Sequence, residues 1–168
     1  MQITIHDGFD VNNKSIVHGR CTKQWKWDYW NKLVRLIKNS CDATIIQLGA
    51  VTGREIDGVD QCLLNKTTIL EAIKILEKSK FHIDGDSGLV HVATKLGIPC
   101  IVLFGPTPDY FYGYKKNVNI RSNVCKEACF WIKDNWMDKC PLGYATPKCL
   151  DAITADDVFE KIRKKGLL

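Results

Sequence analysis

The sequence predicts an α/β fold, a Rossmann-like parallel sheet with helices on both faces. Two observations carry this expectation. Short strand-like apolar runs alternate with amphipathic helical stretches in the order β-α-β-α-β-α-β, the pattern of parallel strands joined by crossover helices. The chain has 168 residues, with 45% apolar and 26% charged. That composition is ordinary for a globular protein, and the length suits one domain with a sizeable core.

The elements follow in order. Gln2 to His6 reads as a short strand ended by Asp7-Gly8. Trp27, Trp30, Val34 and Ile37 fall at helical spacing, with Leu33 widening the apolar stripe, which assigns both tryptophans to core packing. Ala43 to Leu48 is a buried-strand run. Thr68 and Glu71 have capping-box spacing ahead of Ile69, Ala72, Ile73 and Leu76, the buried face of a second helix. Phe81 to Ile83 is a brief strand, Ser87 to Leu96 a helix and Pro99 to Phe104 the most strand-like run in the chain. Asn117 to Arg121 supplies one more strand, and a last helix over 154–165 begins at Thr154 with Asp157 completing its cap.

The expected organisation is a single domain over 1–168, interrupted by a cysteine-containing loop lobe over 122–150. That stretch breaks the rhythm, with four cysteines, two tryptophans and two prolines; loops so long usually carry a function or a staple.

Charge and targeting signals narrow the function classes. The net charge of +5 arises from 24 Lys and Arg against 19 Asp and Glu. The densest basic runs are Lys115-Lys116 and the tail from Lys161 to Lys165. This suits a phosphate-bearing ligand or peripheral contact with an anionic membrane face. It is not the concentrated basic face of a nucleic-acid binder, and no nucleic-acid partner is expected. No apolar run approaches the ~20 residues that span a bilayer. The opening MQITIHDGFD has neither the basic start nor the apolar core of a signal peptide. A cytoplasmic location is expected, with the inner face of the membrane as an alternative.

The block FHIDGDSGLVHVATKLGIPCIVLFGPT, residues 81–107, carries the main chemistry. A strand ends at Asp84-Gly85 and a helix starts at once. The N–H groups of Ser87, Gly88 and Leu89 would point out of the helix start, where the dipole favours an anion. Gly88 lets a phosphate approach the backbone, and His91 sits one turn on. Asp86 is placed as N-cap or as orienter of the loop, since a carboxylate against phosphate would repel it. Gly105, Pro106 and Thr107 reach the same edge of the sheet from the next strand. A capped turn with a structural histidine is the plain alternative.

Asp86-Ser87-Gly88-Leu89-Val90-His91 and Phe104-Gly105-Pro106-Thr107, with Leu96-Gly97 and Pro99 between them, resemble the C-terminal domain of the lipopolysaccharide heptosyltransferases, glycosyltransferase family 9. Thr22-Lys23-Gln24-Trp25 with Tyr29-Trp30 resembles the family's entry into its first helix. Cys129-Phe130, Cys140-Pro141-Leu142-Gly143 and Cys149-Leu150 resemble its cysteine-containing tail. The resemblance implies one half of a GT-B enzyme, in which two Rossmann-like domains face across a cleft. This half would bind a nucleotide-diphosphate sugar, an ADP-heptose-like donor being favoured, for inverting transfer to lipopolysaccharide core, another surface glycan or a protein. By resemblance Ser87, Gly88 and His91 contact the diphosphate. Lys23 reaches it as a point charge, so that Lys23 and His91 stabilise the leaving group without a catalytic metal. Leu89, Gly105 and Thr107 complete the donor site. Glu55, in GAVTGREIDG, is the candidate for the ribose hydroxyls, its alternative being a plain loop carboxylate.

The family's acceptor domain and its catalytic base have no counterpart in these residues, so catalysis is expected to need an acceptor-domain partner. The competing reading is a non-catalytic, metal-stapled interaction module with a degenerate nucleotide site. Cys125, Cys129, Cys140 and Cys149, spaced C-x3-C-x10-C-x8-C, are candidate ligands for a structural Zn or Fe. The alternative is buried thiols packed with Trp131 and Trp136, or one or two adventitious disulfides. Trp131, Trp136, Tyr110, Phe111 and Tyr112 are candidates for a sugar or partner surface, and Cys100 for a core thiol.

Overall fold

The computed structural model of the chain describes residues 1–8, 20–50 and 54–168. Six described strands form one sheet: β1 (Gln2–Ile5), β2 (Thr44–Gly49), β3 (Gln61–Leu64), β4 (Phe81–Gly85), β5 (Cys100–Phe104) and β6 (Val118–Arg121). Every neighbouring pair is parallel, in the order β3-β2-β1-β4-β5-β6. The chain winds outward from β1 to β3, then crosses back to lay β4 on the other side of β1. Loops leaving β1 and β4 therefore diverge, and open α/β sheets bind ligands at that reversal.

Strand side chains alternate between two cores because successive residues point to opposite faces. On one face Ile3, Ile5, Ile45 and Ile83 meet Trp30, Leu33 and Ile37 of α1 (Trp27–Ser40) and Val158 and Ile162 of α6 (Ala155–Lys164). On the other, Leu48, Val102 and Phe104 meet Ala72 and Leu76 of α2 (Ile69–Leu76) and Val90 and Ala93 of α3 (Gly88–Lys95). Short helices α4 (Asp109–Tyr112) and α5 (Lys148–Asp151) complete the chain order. Both capping boxes form as their spacing predicts, Thr68 with Glu71 and Thr154 with Asp157.

Three expectations need correction. Strand β3 is absent from the sequence reading; it is a four-residue edge strand with no fully buried position, so it needs no apolar alternation. Trp27 is only partly buried beside the core, with the Arg54 guanidinium 5.1 Å from its ring centre, while Trp30 is fully buried. Ile69, expected on the buried face of α2, is 58% exposed at the head of that helix. The 122–150 segment is loop up to α5 and is fastened to the rest of the chain from two sides. Its Cys129 and Phe130 N–H groups donate to the Pro106 carbonyl at 2.9 and 3.1 Å. From the other side, the Thr22 N–H donates to the Met137 carbonyl and Thr22 Oγ1 to the Trp136 carbonyl, each at 2.8 Å.

Trp25 anchors the segment that carries Lys23. Its ring is buried edge-on to Trp30 at 5.0 Å, and its Nε1 donates to the Ile153 carbonyl at 2.7 Å. Trp25→Ala is expected to lower the unfolding free energy by about 3–5 kcal/mol. Urea denaturation measures this, and a loss under about 1 kcal/mol contradicts the anchoring role.

Candidate functional site

A cavity of about 730 Å³ opens at the ends of β1 and β4, lined by His6, Gly8, Lys23, Asp86, Ser87, Gly88, Leu89, His91 and Thr107. Ser87, not Asp86, is the N-cap of α3. Its Oγ accepts from the Leu89 N–H at 3.2 Å, leaving Asp86 to pair with Lys23 at 3.1 Å. Apart from its chain neighbours and the backbone of α3 itself, no atom of the described residues lies within 4 Å of where a Cβ on Gly88 would stand, so a ligand has room against the helix start. His91 Nδ1 lies 2.8 Å from the Tyr114 hydroxyl, a contact that orients the ring. Facing α3 is an aromatic wall formed by Tyr112, Phe130, Trp131 and Trp136.

Beneath the cavity lies a charged network that the sequence reading lacks. Asp84, at the end of β4, is wholly buried. His6 Nδ1 stands 2.9 Å from its Oδ1, His82 Nε2 stands 3.1 Å from its Oδ2, and Ser87 Oγ donates to Oδ2 at 2.5 Å. His82 Nδ1 is in turn 3.0 Å from Thr4 Oγ1. Burial alone would push the Asp84 carboxyl up, but the charge and hydrogen bond of His6, followed by His82, hold it down at about 2. Burial likewise pushes His6 down, yet the Asp84 carboxylate outweighs it and leaves the imidazole raised. The Ser87, His6 and Asp84 grouping is not a nucleophilic relay. His6 turns the same Nδ1 to both Asp84 and Ser87, whereas a relay needs one nitrogen for each.

Two expected site residues lie elsewhere. Glu55 is exposed on the β2–β3 connection and does not line the cavity. Gly105 also lies outside the lining; a Cβ there would meet Leu150 at 2.9 Å and the Thr22 carbonyl at 3.2 Å, so this glycine permits packing. Cys100 is a core thiol in β5, pushed up to about 11 chiefly by burial. Cys125, Cys129, Cys140 and Cys149 are all free thiols. Burial, with the neighbouring thiols adding to it, raises Cys129 and pushes Cys149 up to about 12. The four therefore share one neighbourhood. Among the described residues, however, no three His, Cys, Asp or Glu gather at metal-ligand spacing.

The profile of Glycosyltransferase family 9 (heptosyltransferase) matches residues 16–137. This chain belongs to glycosyltransferase family 9. Its relatives include Lipopolysaccharide heptosyltransferase 1 of Campylobacter coli, 33% identical over 120 residues, which cover 71% of this chain and 31% of that protein. The Salmonella typhimurium enzyme of the same name is 31% identical over 105 residues, 58% of this chain and 33% of that one. The fold matches E. coli ADP-heptose lps heptosyltransferase II with a TM-score of 0.70 at 18% identity, over 97% of this chain and 45% of that one. It also matches the dodecameric iron-containing heptosyltransferase TibC in complex with ADP-D-beta-D-heptose, TM-score 0.72 at 16% identity, over 99% and 45%. This family 9 chain thus spans about a third of the curated relatives and under half of these solved structures. Among its described residues no helix is long and apolar enough to cross a membrane.

The His6–Asp84 pair gives the stability a defined pH dependence. Asp84 is held below its ordinary 3.8, so its contribution is present above that pH and fades as pH falls toward about 2. His6 is raised above 6.5, so its contribution is full below that pH and is lost as pH rises through the higher folded value. His6→Gln should therefore flatten the alkaline decline of the urea midpoint, and an unchanged decline would contradict the pairing. Asp84→Asn removes the buried carboxylate that His6 and His82 share and should cost about 3–5 kcal/mol near pH 6, the cost of breaking a buried pair.

Proposed function

We propose that this chain is the donor-binding part of an inverting family 9 glycosyltransferase, holding a nucleotide-diphosphate sugar of the ADP-heptose kind. The observation that carries the reading is the convergence of Lys23, His91 and the open Gly88 backbone on one cavity at the sheet's reversal. The start of α3 presents N–H groups and the positive end of the helix dipole to the diphosphate. Lys23 supplies the mobile charge. Its partner Asp86 keeps the ammonium oriented until phosphate shares it. As the sugar–phosphate bond breaks, negative charge grows on the leaving diphosphate, and these groups stabilise it electrostatically. The reading assigns that task to side chains and backbone, with no divalent cation. The acceptor, lipopolysaccharide core or another glycan or protein, and the general base come from an acceptor domain beyond these residues. The basic last turn of α6, with Lys161, Arg163 and Lys164, suits the cytoplasmic face of a membrane that carries such an acceptor.

We also read Cys125, Cys129, Cys140 and Cys149 as ligands of a structural Zn or Fe. Four thiols match a closed tetrahedral site in number and type, though they would have to draw together to form it, since no three of them stand at metal-ligand spacing. Burial raises Cys129 and Cys149, and a cation there would take the place of their protons. TibC, a structural match, is described as iron-containing. The competing module without chemistry draws on the same Lys23–Asp86 pair, which would leave the lysine already neutralised.

Calorimetry of ADP, GDP, UDP and their sugars against the chain separates these readings. ADP is expected to bind at micromolar strength, unaffected by added Mg²⁺, and Lys23→Ala should weaken it roughly 10- to 100-fold, the worth of one charged hydrogen bond. Failure of every nucleotide to bind sinks the donor reading. Elemental analysis of protein purified without added metal should find about one Zn or Fe per chain, the occupancy of one four-thiol site.

A further inference from the structure

Trp131, in the aromatic wall, is held against its own backbone preference. Its φ is +59°, a left-handed conformation that is costly for a bulky side chain. Yet the residue is 71% exposed, so its own burial does not compensate the strain. Strain of this kind persists where the surroundings over-determine it. Those surroundings are the double hydrogen bond from Cys129 and Phe130 to the Pro106 carbonyl and the tilted contact with Trp136 at 5.7 Å. Trp136 is itself buried and tied through its carbonyl to Thr22. The wall is thus fastened at both ends, next to Lys23 on one side and next to Thr107 on the other.

Thr107 supplies an independent observation in the same cavity. It is 4% exposed, and its Oγ1 is buried with no hydrogen-bond partner among the described residues. Native structures seldom leave a buried hydroxyl unpaired unless something else satisfies it.

We propose that Trp131 and Thr107 form the sugar subsite of the donor cavity. The indole covers the C–H face of the donor's sugar ring, and the Thr107 hydroxyl bonds one of its hydroxyls. This rests on the nucleotide-sugar reading above and adds which residues select the sugar. The sheet order assigns the two halves of the ligand. With the diphosphate at Gly88, Ile69 stands at the head of α2 on the β3 side, and the Trp131–Thr107 wall stands beyond β5 on the other. The aliphatic side suits a flat base. An amphipathic aromatic with an unpaired hydroxyl suits a ring that alternates C–H and O–H groups.

Calorimetry on the full chain with ADP and with ADP-D-β-D-heptose tests this for Trp131→Gly and Thr107→Val. Each change should weaken ADP-heptose about five- to tenfold, the loss of one contact, and leave ADP within about twofold. Glycine accepts the left-handed backbone freely, so Trp131→Gly should hold or raise the Tm while the sugar preference falls. A Trp131 that only packs would instead lower the Tm. Parallel loss of ADP and ADP-heptose affinity, as base stacking would give, overturns the proposal, and so does no loss of either. If the unaltered chain binds ADP but the heptose adds nothing, the subsite alone fails. If it binds neither, the nucleotide-sugar reading fails and takes the subsite with it.

Discussion

Keeping the Asp84 carboxylate ionised out of water is the demand around which the rest of the site is organised. A charge so deeply buried persists only when cations and donors surround it. Here they come from three places: His6 on β1, His82 two residues back on β4, and Ser87 just beyond the strand. Strands β1 and β4 are neighbours only because the chain crosses back between β3 and β4, so the carboxylate staples the sheet at its reversal. The loops leaving those strands are drawn together as well. Gly8, at φ +70°, would place a Cβ 2.9 Å from the Gly85 Cα, which leaves no room for a side chain. Ser87 then does two things with one oxygen, donating to Asp84 and accepting from the Leu89 N–H. The start of α3 is therefore fixed in direction by the sheet before any ligand arrives, the condition under which backbone dipoles act without reorganising.

The same arrangement separates structural charge from available charge. The Asp84 carboxylate raises the His6 imidazole, so the charge that His6 gains is offset by Asp84 at the cavity floor. Lys23, by contrast, is balanced by Asp86 at the cavity edge, where both side chains retain some exposure. A pair at such a place exchanges partners at modest cost, unlike a pair in the interior. On the donor-binding proposal, an arriving phosphate would meet a lysine already directed by its counter-ion and its Trp25-anchored segment.

What was legible in the sequence follows from which interactions are local. Helix stripes, capping boxes and buried-strand runs are encoded within a few residues, so α1, α2, α3, α6 and the buried strands could be read directly. The DSGLVH and FGPT segments were legible as motifs, and the structure brings Ser87, Gly88, His91 and Thr107 to one cavity. The His6–Asp84 contact joins residues 78 apart and depends on which strands are neighbours, which no local pattern states. The Asp86 and Ser87 roles differ by one residue of register, and both types cap helices well, so only geometry separates them. Glu55 lies off the cavity lining for a related reason: Gln47 captures its connection through the Arg54 carbonyl and the Ile56 N–H, and the carboxylate is left exposed. The 122–150 wall has no periodicity, because hydrogen bonds to Pro106 and Thr22 place it.

Those two kinds of placement divide the labour of the site. The groups that handle charge stand at strand ends and a helix start, fixed by the sheet and its buried carboxylate. The groups that shape the space opposite them stand in the middle of a segment whose ends, at Cys125, Cys149 and Leu150, are buried in the core with β1 and β4. Changes confined to the aromatic wall at 130–136 can alter the fit to a ligand without disturbing the Asp84 network, because the wall itself is attached at Pro106 and Thr22. If the cavity holds a nucleotide sugar as proposed, it can keep one means of stabilising a leaving diphosphate while its sugar preference varies, since the two would be carried by different elements of the chain.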